Sequence, residues 1–483
     1  MARDWRDDRI GELETQLAER DRLILELRTL VEALQGRVRG LEARLAQTSS
    51  NSSRPPSSDP PGASPPVKQR PSGRKRGAQP GHKKHERKLL PPEQVTHLRN
   101  VKPSHCRACR KALEGEDPSP YRHQVVDVPK VKPEVREYRL HSLLCEGCNT
   151  FTRAKLPEGV PTGNFGPRLQ AMVAVCSGAY RMSKRAVEEL VGDFFGIEIC
   201  LESVSNLEQA TSEALAKPVE EVAKAIQQEP IVHADETGWY ERSKRAWLWA
   251  AVTAQLAVFL VRKSRGAGVA RELLGDLFAG ILVSDRWSAY TWVSVLRRQI
   301  CWAHLLRHFI GFQDHGPEAK AIGSKLELLT EAMFHQWHRI RDGTLSRAEF
   351  RDFMERLRPH ILNRLHEGAQ SGIAKVAGRC REILELEPAM WTFVNVEGVE
   401  PTNNAAERIV RHGVLWRKGS FGTDSPAGSR FVERILTTVM TLRLQKRNVL
   451  DFVTEACVCA LLGRRPPSLL PKPRTQQAST LAA

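Results

Sequence analysis

Long apolar runs are missing from this sequence of 483 residues. The longest uncharged one, Ala246 to Val261, has 16 residues, where a membrane-spanning helix needs about 20. Thr253 and Gln255 near its middle make it two strands and a turn, so no membrane role is expected. An export signal is missing too, because MARDWRDD is too charged to open one. Cysteine is scarce for a disulfide scaffold, with 10 residues in the whole chain. In a reducing compartment, closely paired cysteines then point to metal or redox chemistry. Acids fall short of bases, 56 against 73, and the surplus of +17 favours a polyanionic partner such as nucleic acid. With 41% hydrophobic and 27% charged residues, wholesale disorder and collagen-like chains are excluded, and the length suits two to four domains.

Residues 1–47 carry heptads. Ile10, Leu17, Ile24, Val31, Val38 and Leu45 fall on one seam position, and Leu13, Leu27, Leu34 and Leu41 on the other, interrupted only by Arg20. Mostly β-branched residues at the first position with leucine at the second favour a parallel two-stranded coiled coil, hence self-association. From 48 to 88 serine, proline and glycine take over, which reads as a flexible linker. Its basic cluster, including Arg74, Lys75 and Arg76, can lie along phosphates. Cys106 and Cys109, then Cys145 and Cys148, form two C-x-x-C pairs that match a structural zinc site. A strand pair, 121–128 and 134–144, is expected between them, and His105 and His141 are alternative ligands.

Residues 161–226 read as helices, with a helix-turn-helix-like stretch whose second helix is expected to be capped by Ser203. Alternating strands and helices follow from EPIVHADETGWY to RRQICWAHLLRHF, then a charged helical stretch over 305–395, then helix and basic loop. Asp235 follows the apolar run IVHA and Asp285 follows GILVS, so both are expected just past strand ends. With Glu407 in PTNNAAER they can supply oxygen ligands to two hard cations. Glu236 and Asp276 compete for the role, and Asn404 with Glu407 also makes a capping box. Spacing alone leaves the trio open.

HADETGWY, VSDRWSAY, CWAHLLRHF and PTNNAAERIVRHGVLWRKGSFGT, in this order, closely resemble the transposases of insertion-sequence family sixty-six. NSSRPPSSD, RKRGAQPGH, the cysteine pairs and the leading helix extend the resemblance over nearly the whole chain. It implies a DDE recombinase with a multidomain α+β architecture and an RNase H-like core. The expected segments are a coiled-coil helix (1–47), a disordered basic linker (48–88), a zinc-binding module (89–160) and a helical DNA-binding region (161–226). The first part of the core (227–304) is followed by a helical insertion (305–395), the second part of the core (396–465) and a disordered tail (466–483).

By the same resemblance, Asp235, Asp285 and Glu407 would hold a pair of Mg²⁺, with Mn²⁺ as a substitute, and Cys301 with His304 would support them. The implied reaction is hydrolysis at each element end, followed by attack of the freed 3′-hydroxyl on target DNA. Arg408, Arg411, Arg417 and Lys418 would contact the DNA backbone. Trp287, Trp302 and Trp416 lie beside these motifs and read equally as base-stacking or core residues. Expected partners are element ends, target DNA, further copies of the chain and small accessory transposition proteins, in a nucleoid-associated cytoplasmic setting. The alternative is a relative that only binds or only cuts DNA.

Overall fold

The computed structural model describes residues 5–45 and 88–471. The linker arginines and lysine at 74–76 and the end of the tail lie outside those residues. The first element is one unbroken helix, α1 (Trp5–Leu45). Along it the seam residues Ile10, Leu13, Leu17, Ile24, Leu27, Val31, Leu34 and Val38 all stand about half exposed.

Residues 88–160 contain no buried side chain. Their regular structure is a short hairpin, β1 (Ser142–Leu144) with β2 (Phe151–Arg153), paired antiparallel. The strand expected over 121–128 does not form. Of the stretch 134–144 only the last three residues are extended, because they pair across the second cysteine turn.

Four helices follow: α2 (Pro167–Gly178), α3 (Lys184–Phe195), α4 (Leu201–Ala214) and α5 (Ala216–Ile226). The Ser183 hydroxyl accepts from the Ala186 N–H to open α3, and Gly196 closes it at φ 65°. The next helix begins at Leu201 rather than at Ser203.

The sheet comes next: β3 (Ile231–Glu241), β4 (Lys244–Val252), β5 (Ala257–Arg262), then α6 (Ala267–Leu274), β6 (Ile281–Ser284) and β7 (Arg298–Ile300). Its order is β5-β4-β3-β6-β7. The first three strands are antiparallel, while β6 runs parallel to β3 and β7 parallel to β6. A two-residue turn joins β3 to β4, with Arg242 and Ser243 both left-handed at φ 50° and 61°, as the twist of a tight hairpin requires.

The expected helical insertion is α7 (Trp302–Phe312), α8 (Pro317–Arg341), α9 (Arg347–Gln370), α10 (Ala374–Leu384) and α11 (Thr392–Asn395). It builds a core of its own around Trp337, Phe350 and Phe393, which reaches Val283 and Ile300 at the edge of the sheet. The chain then returns through α12 (Asn404–Ser420), α13 (Pro426–Leu444) and α14 (Val449–Leu461). Packing continues into the segment expected as tail, where Leu469 is fully buried.

Two features of these last helices shape the sheet. The edge strand β5 is covered by α13, whose side chains at four-residue spacing match alternate strand residues. Thr441 Oγ1 accepts from Ala257 N at 3.0 Å, Thr437 Oγ1 from Phe259 N at 3.0 Å, and Glu433 Oε1 from Val261 N at 2.6 Å. An edge that would otherwise template further strands is thereby closed. The second feature is α4, which lies inside the helical layer with Val204, Glu208, Thr211 and Ser212 buried against α2, α13 and α14. Its exposed positions, Leu201, Glu202, Asn206, Ala210 and Glu213, carry two acids and no cation.

Candidate active site

Asp235 sits in the middle of β3, opposite Ala250 of β4, and not past the strand's end as expected. The antiparallel hairpin carries β3 on to Glu241, although the parallel pairing with β6 stops at His233 opposite Val283. Asp285 comes immediately after β6. In that register the two aspartates emerge side by side where the parallel ladder ends, on strands about 4.8 Å apart.

The turn after Asp285 is held tightly. Trp287 N donates to Asp285 Oδ1 at 2.8 Å, and Arg298 Nη2 donates to the Asp285 carbonyl at 3.3 Å. Glu236 points to the other face of β3 and is fully engaged. It accepts from Tyr290 at 2.7 Å and from Arg265 at 2.8 and 3.0 Å. The Arg265 guanidinium is itself sandwiched between the Trp247 and Trp287 rings, 4.5 and 3.8 Å from their centroids. Asp276 lies away at the end of α6, exposed beside Arg271.

Glu407 arrives on α12, which is fastened to β3 at both ends. At the start, buried Asn403 donates from Nδ2 to the Ala234 carbonyl at 2.7 Å, meets His233 Nδ1 at 3.3 Å, and donates from its backbone N–H to the Cys301 thiol at 3.2 Å. At the far end Phe421 turns left-handed at φ 61°. Thr423 N then donates to Tyr240 O at 2.9 Å, and Arg242 N to Thr423 O at 2.8 Å. Between the clamps Gly413 allows close approach, since a Cβ there would lie 2.0 Å from Leu248 Cδ2. Asn403 is the cap residue, so Glu407 falls one position beyond the place a capping box needs and its carboxylate stays available.

Burial, followed by the charges of Glu236, Asp285 and Glu407, holds the Asp235 carboxyl well above its ordinary value. Like charges so arranged favour a bound cation. Glu407 Oε1 and His304 Nδ1 are buried 3.6 Å apart, and neither has a hydrogen-bond partner. Arg307 stands 3.8 Å from the other Glu407 oxygen. Among the described residues, Cys301, His304 and Glu407 are the one group whose ligand atoms all lie within 4.8 Å of one another. Asp235 and Asp285 stand outside that radius. The Cys301 thiol is pushed up to about 12 by burial and then by the Glu407 charge, so it stays protonated. Mutual repulsion and orphaned acceptors fit a divalent cation.

The exposed stripe of α12 is Asn404, Arg408, Arg411, Leu415 and Lys418. Arg417 is turned inward instead, its guanidinium on the Gly238 carbonyl and Thr237 hydroxyl. Trp302 is core, donating to the Met390 carbonyl at 2.7 Å, and Trp416 packs on Phe431.

The two cysteine turns are alike. Arg110 N donates to Cys106 O and Cys106 N to Lys111 O, and Asn149, Cys145 and Thr150 repeat the pattern. Arg110 and Asn149 are both left-handed, at φ 62° and 57°. Cys106 is held below the usual thiol range by the Cys109 and Ala108 N–H groups and then by the Cys109 thiol. Cys148 is held low by the Thr150 hydroxyl and then the Cys145 thiol. Among the described residues, no three of these thiols lie within 4.8 Å of one another.

Asn403, Gly413 and the clamp at Thr423 were not singled out in the sequence, although the doubled asparagine and the G-x-F-G-T-like ending SFGT mark them. Residues 162–430 match the family described as "Transposase IS66 family", and residues 5–88 match a family of unknown function. An uncharacterized protein of Sinorhizobium fredii, y4qI, is 26% identical over 392 residues, covering 73% of this chain and 70% of the relative.

Proposed function

This chain belongs to the transposase IS66 family, and from that premise we propose that it cuts DNA phosphodiesters and joins the ends to a target, at a metal site held by Asp235, Asp285 and Glu407. The observation that carries the reading is geometric: the β3–β6 register sets Asp235 beside Asp285, which follows β6, and Asn403 ties the start of α12, which bears Glu407, to the Ala234 carbonyl next to Asp235. In this reading the sheet, with its antiparallel β5-β4-β3 half and parallel β6-β7 half, is an RNase H-like core. A pair of Mg²⁺ ions, or Mn²⁺, would supply Lewis-acid stabilisation of the attacking and leaving oxygens of an in-line displacement.

The protein's own contribution is placement. Asn403 and the Thr423 clamp fix α12, so Glu407 is held in place without reorganising. His304 and Arg307 border Glu407 and limit its swing. Arg408, Arg411 and Lys418 line the exposed face of the same helix and neutralise backbone phosphates near the site. The half-exposed seam of α1 pairs two copies, as two element ends require. Cys106, Cys109, Cys145 and Cys148 would hold structural zinc, which would give residues 89–160 the cross-link that a segment without a core needs.

Asp235→Asn tests the site, because it removes a ligand charge and keeps the shape. With element-end duplexes and Mg²⁺, binding should persist while cleavage and strand transfer fall to background. Undiminished cleavage would refute the assignment, and cleavage without joining in the wild type would make the protein a nuclease.

A further inference from the structure

Arg286, immediately after Asp285, is nine-tenths buried, with 10% of its side chain exposed. Its one charged partner among the described residues is Glu382 of α10, at 3.6 Å, which is beyond hydrogen-bond length. The same Glu382 oxygen is already held by Arg379 at 2.7 Å. Two guanidinium groups, one from the sheet edge and one from the helical insertion, therefore share a single carboxylate that is itself more than half exposed. Arg307 adds a third cation from α7.

The positive field is strong enough to be felt nearby. His308 is driven down to about 2 by burial and then by Arg286, Arg379, His304 and Arg307. A nine-tenths buried guanidinium whose nearest carboxylate lies 3.6 Å away and is shared with a second arginine is costly unless an anion completes it. A guanidinium fork matches phosphate oxygens bidentately.

We propose that Arg286 and Arg379, with Arg307, form a cleft that binds one backbone phosphate of the DNA strand lying at the acids. The helical insertion thus supplies part of the substrate-binding surface. This inference rests on the transposase reading and adds a phosphate subsite to it. Glu382 is then a placeholder that keeps the two arginines apart until the phosphate arrives. The competing role for these groups is a tether between insertion and sheet, and the two roles predict opposite effects of removing Glu382.

The test measures binding of an element-end duplex by the full-length Asp235→Asn protein, across a series of KCl concentrations, so cleavage does not enter. Arg286→Gln should weaken binding about tenfold at low salt and reduce the salt slope by about 0.9, the value for one phosphate. Arg379→Gln, at a partly exposed position of α10, should act in the same direction with an unchanged melting temperature. Glu382→Gln should keep or strengthen binding. Arg286→Gln and Arg379→Gln binding with wild-type affinity and slope would overturn the cleft. So would weaker binding with Glu382→Gln together with a lower melting temperature, the signature of a tether. Absence of binding by the parent protein would instead remove the transposase reading on which the cleft depends.

Discussion

Residues 88–160 and the sheet region beyond residue 161 are held by different means. The first has no buried side chain and two repeated turns with paired thiols. The second buries Trp239, Trp249, Leu248 and Phe259 in a continuous core that reaches from the sheet to α14. On the proposed reading, metal held by the thiols would shape the first region, whereas apolar burial shapes the second.

The largest effect expected from this contrast is selective. Stripping metal with a strong chelator, or replacing Cys145 by serine, should open residues 88–160 to limited proteolysis. A core fragment beginning near residue 161 should survive with its melting temperature unchanged. A chelator that melts the core as well would break the comparison. Next is Asn403→Ala, which leaves the Ala234 carbonyl and His233 without their buried partner. It should cost about 1–3 kcal/mol in urea unfolding and lower cleavage, while proteolysis of the cysteine segment stays as in the wild type. Gly413→Ala should act on the same helix by overpacking against Leu248, costing about 1–3 kcal/mol.

The smallest expected effect is on pH dependence. Burial holds His233 down at about 4, against an ordinary 6.5. The unfolded chain therefore takes the proton first, so this contribution is complete above pH 6.5 and is lost as pH falls toward 4. Asp235 and Glu236 are raised and act in the opposite sense, so the difference between His233→Gln and wild type isolates the histidine. In metal-free protein that difference in melting temperature should shift in the variant's favour as pH drops from 7 to 5. A constant difference would contradict the assignment.

Much of the core was legible because its strands are apolar runs bounded by turns and charge, as in IVHA and GILVS. The position of Asp235 within β3 was not. Strand length there is set by pairing with β4, which extends past the carboxylate to Lys244. The second helix of the expected helix-turn-helix shows the same limit. Its spacing was readable, but its burial against α13 and α14, far along the chain, depends on the finished fold. Arg417 matched a basic run, yet a carbonyl on β3 holds it inward. Asn403, Gly413 and Arg286 matter through close approach of distant segments, and local pattern is silent about such contacts.

The central claim is that Asp235, Asp285 and Glu407 share one metal site. Replacing Mg²⁺ by Fe²⁺ and adding ascorbate with peroxide cuts the polypeptide wherever the iron is bound. The account predicts scission near residues 235, 285 and 407 together, suppressed by excess Mg²⁺. Scission confined to the neighbourhood of Cys301, His304 and Glu407 would contradict it.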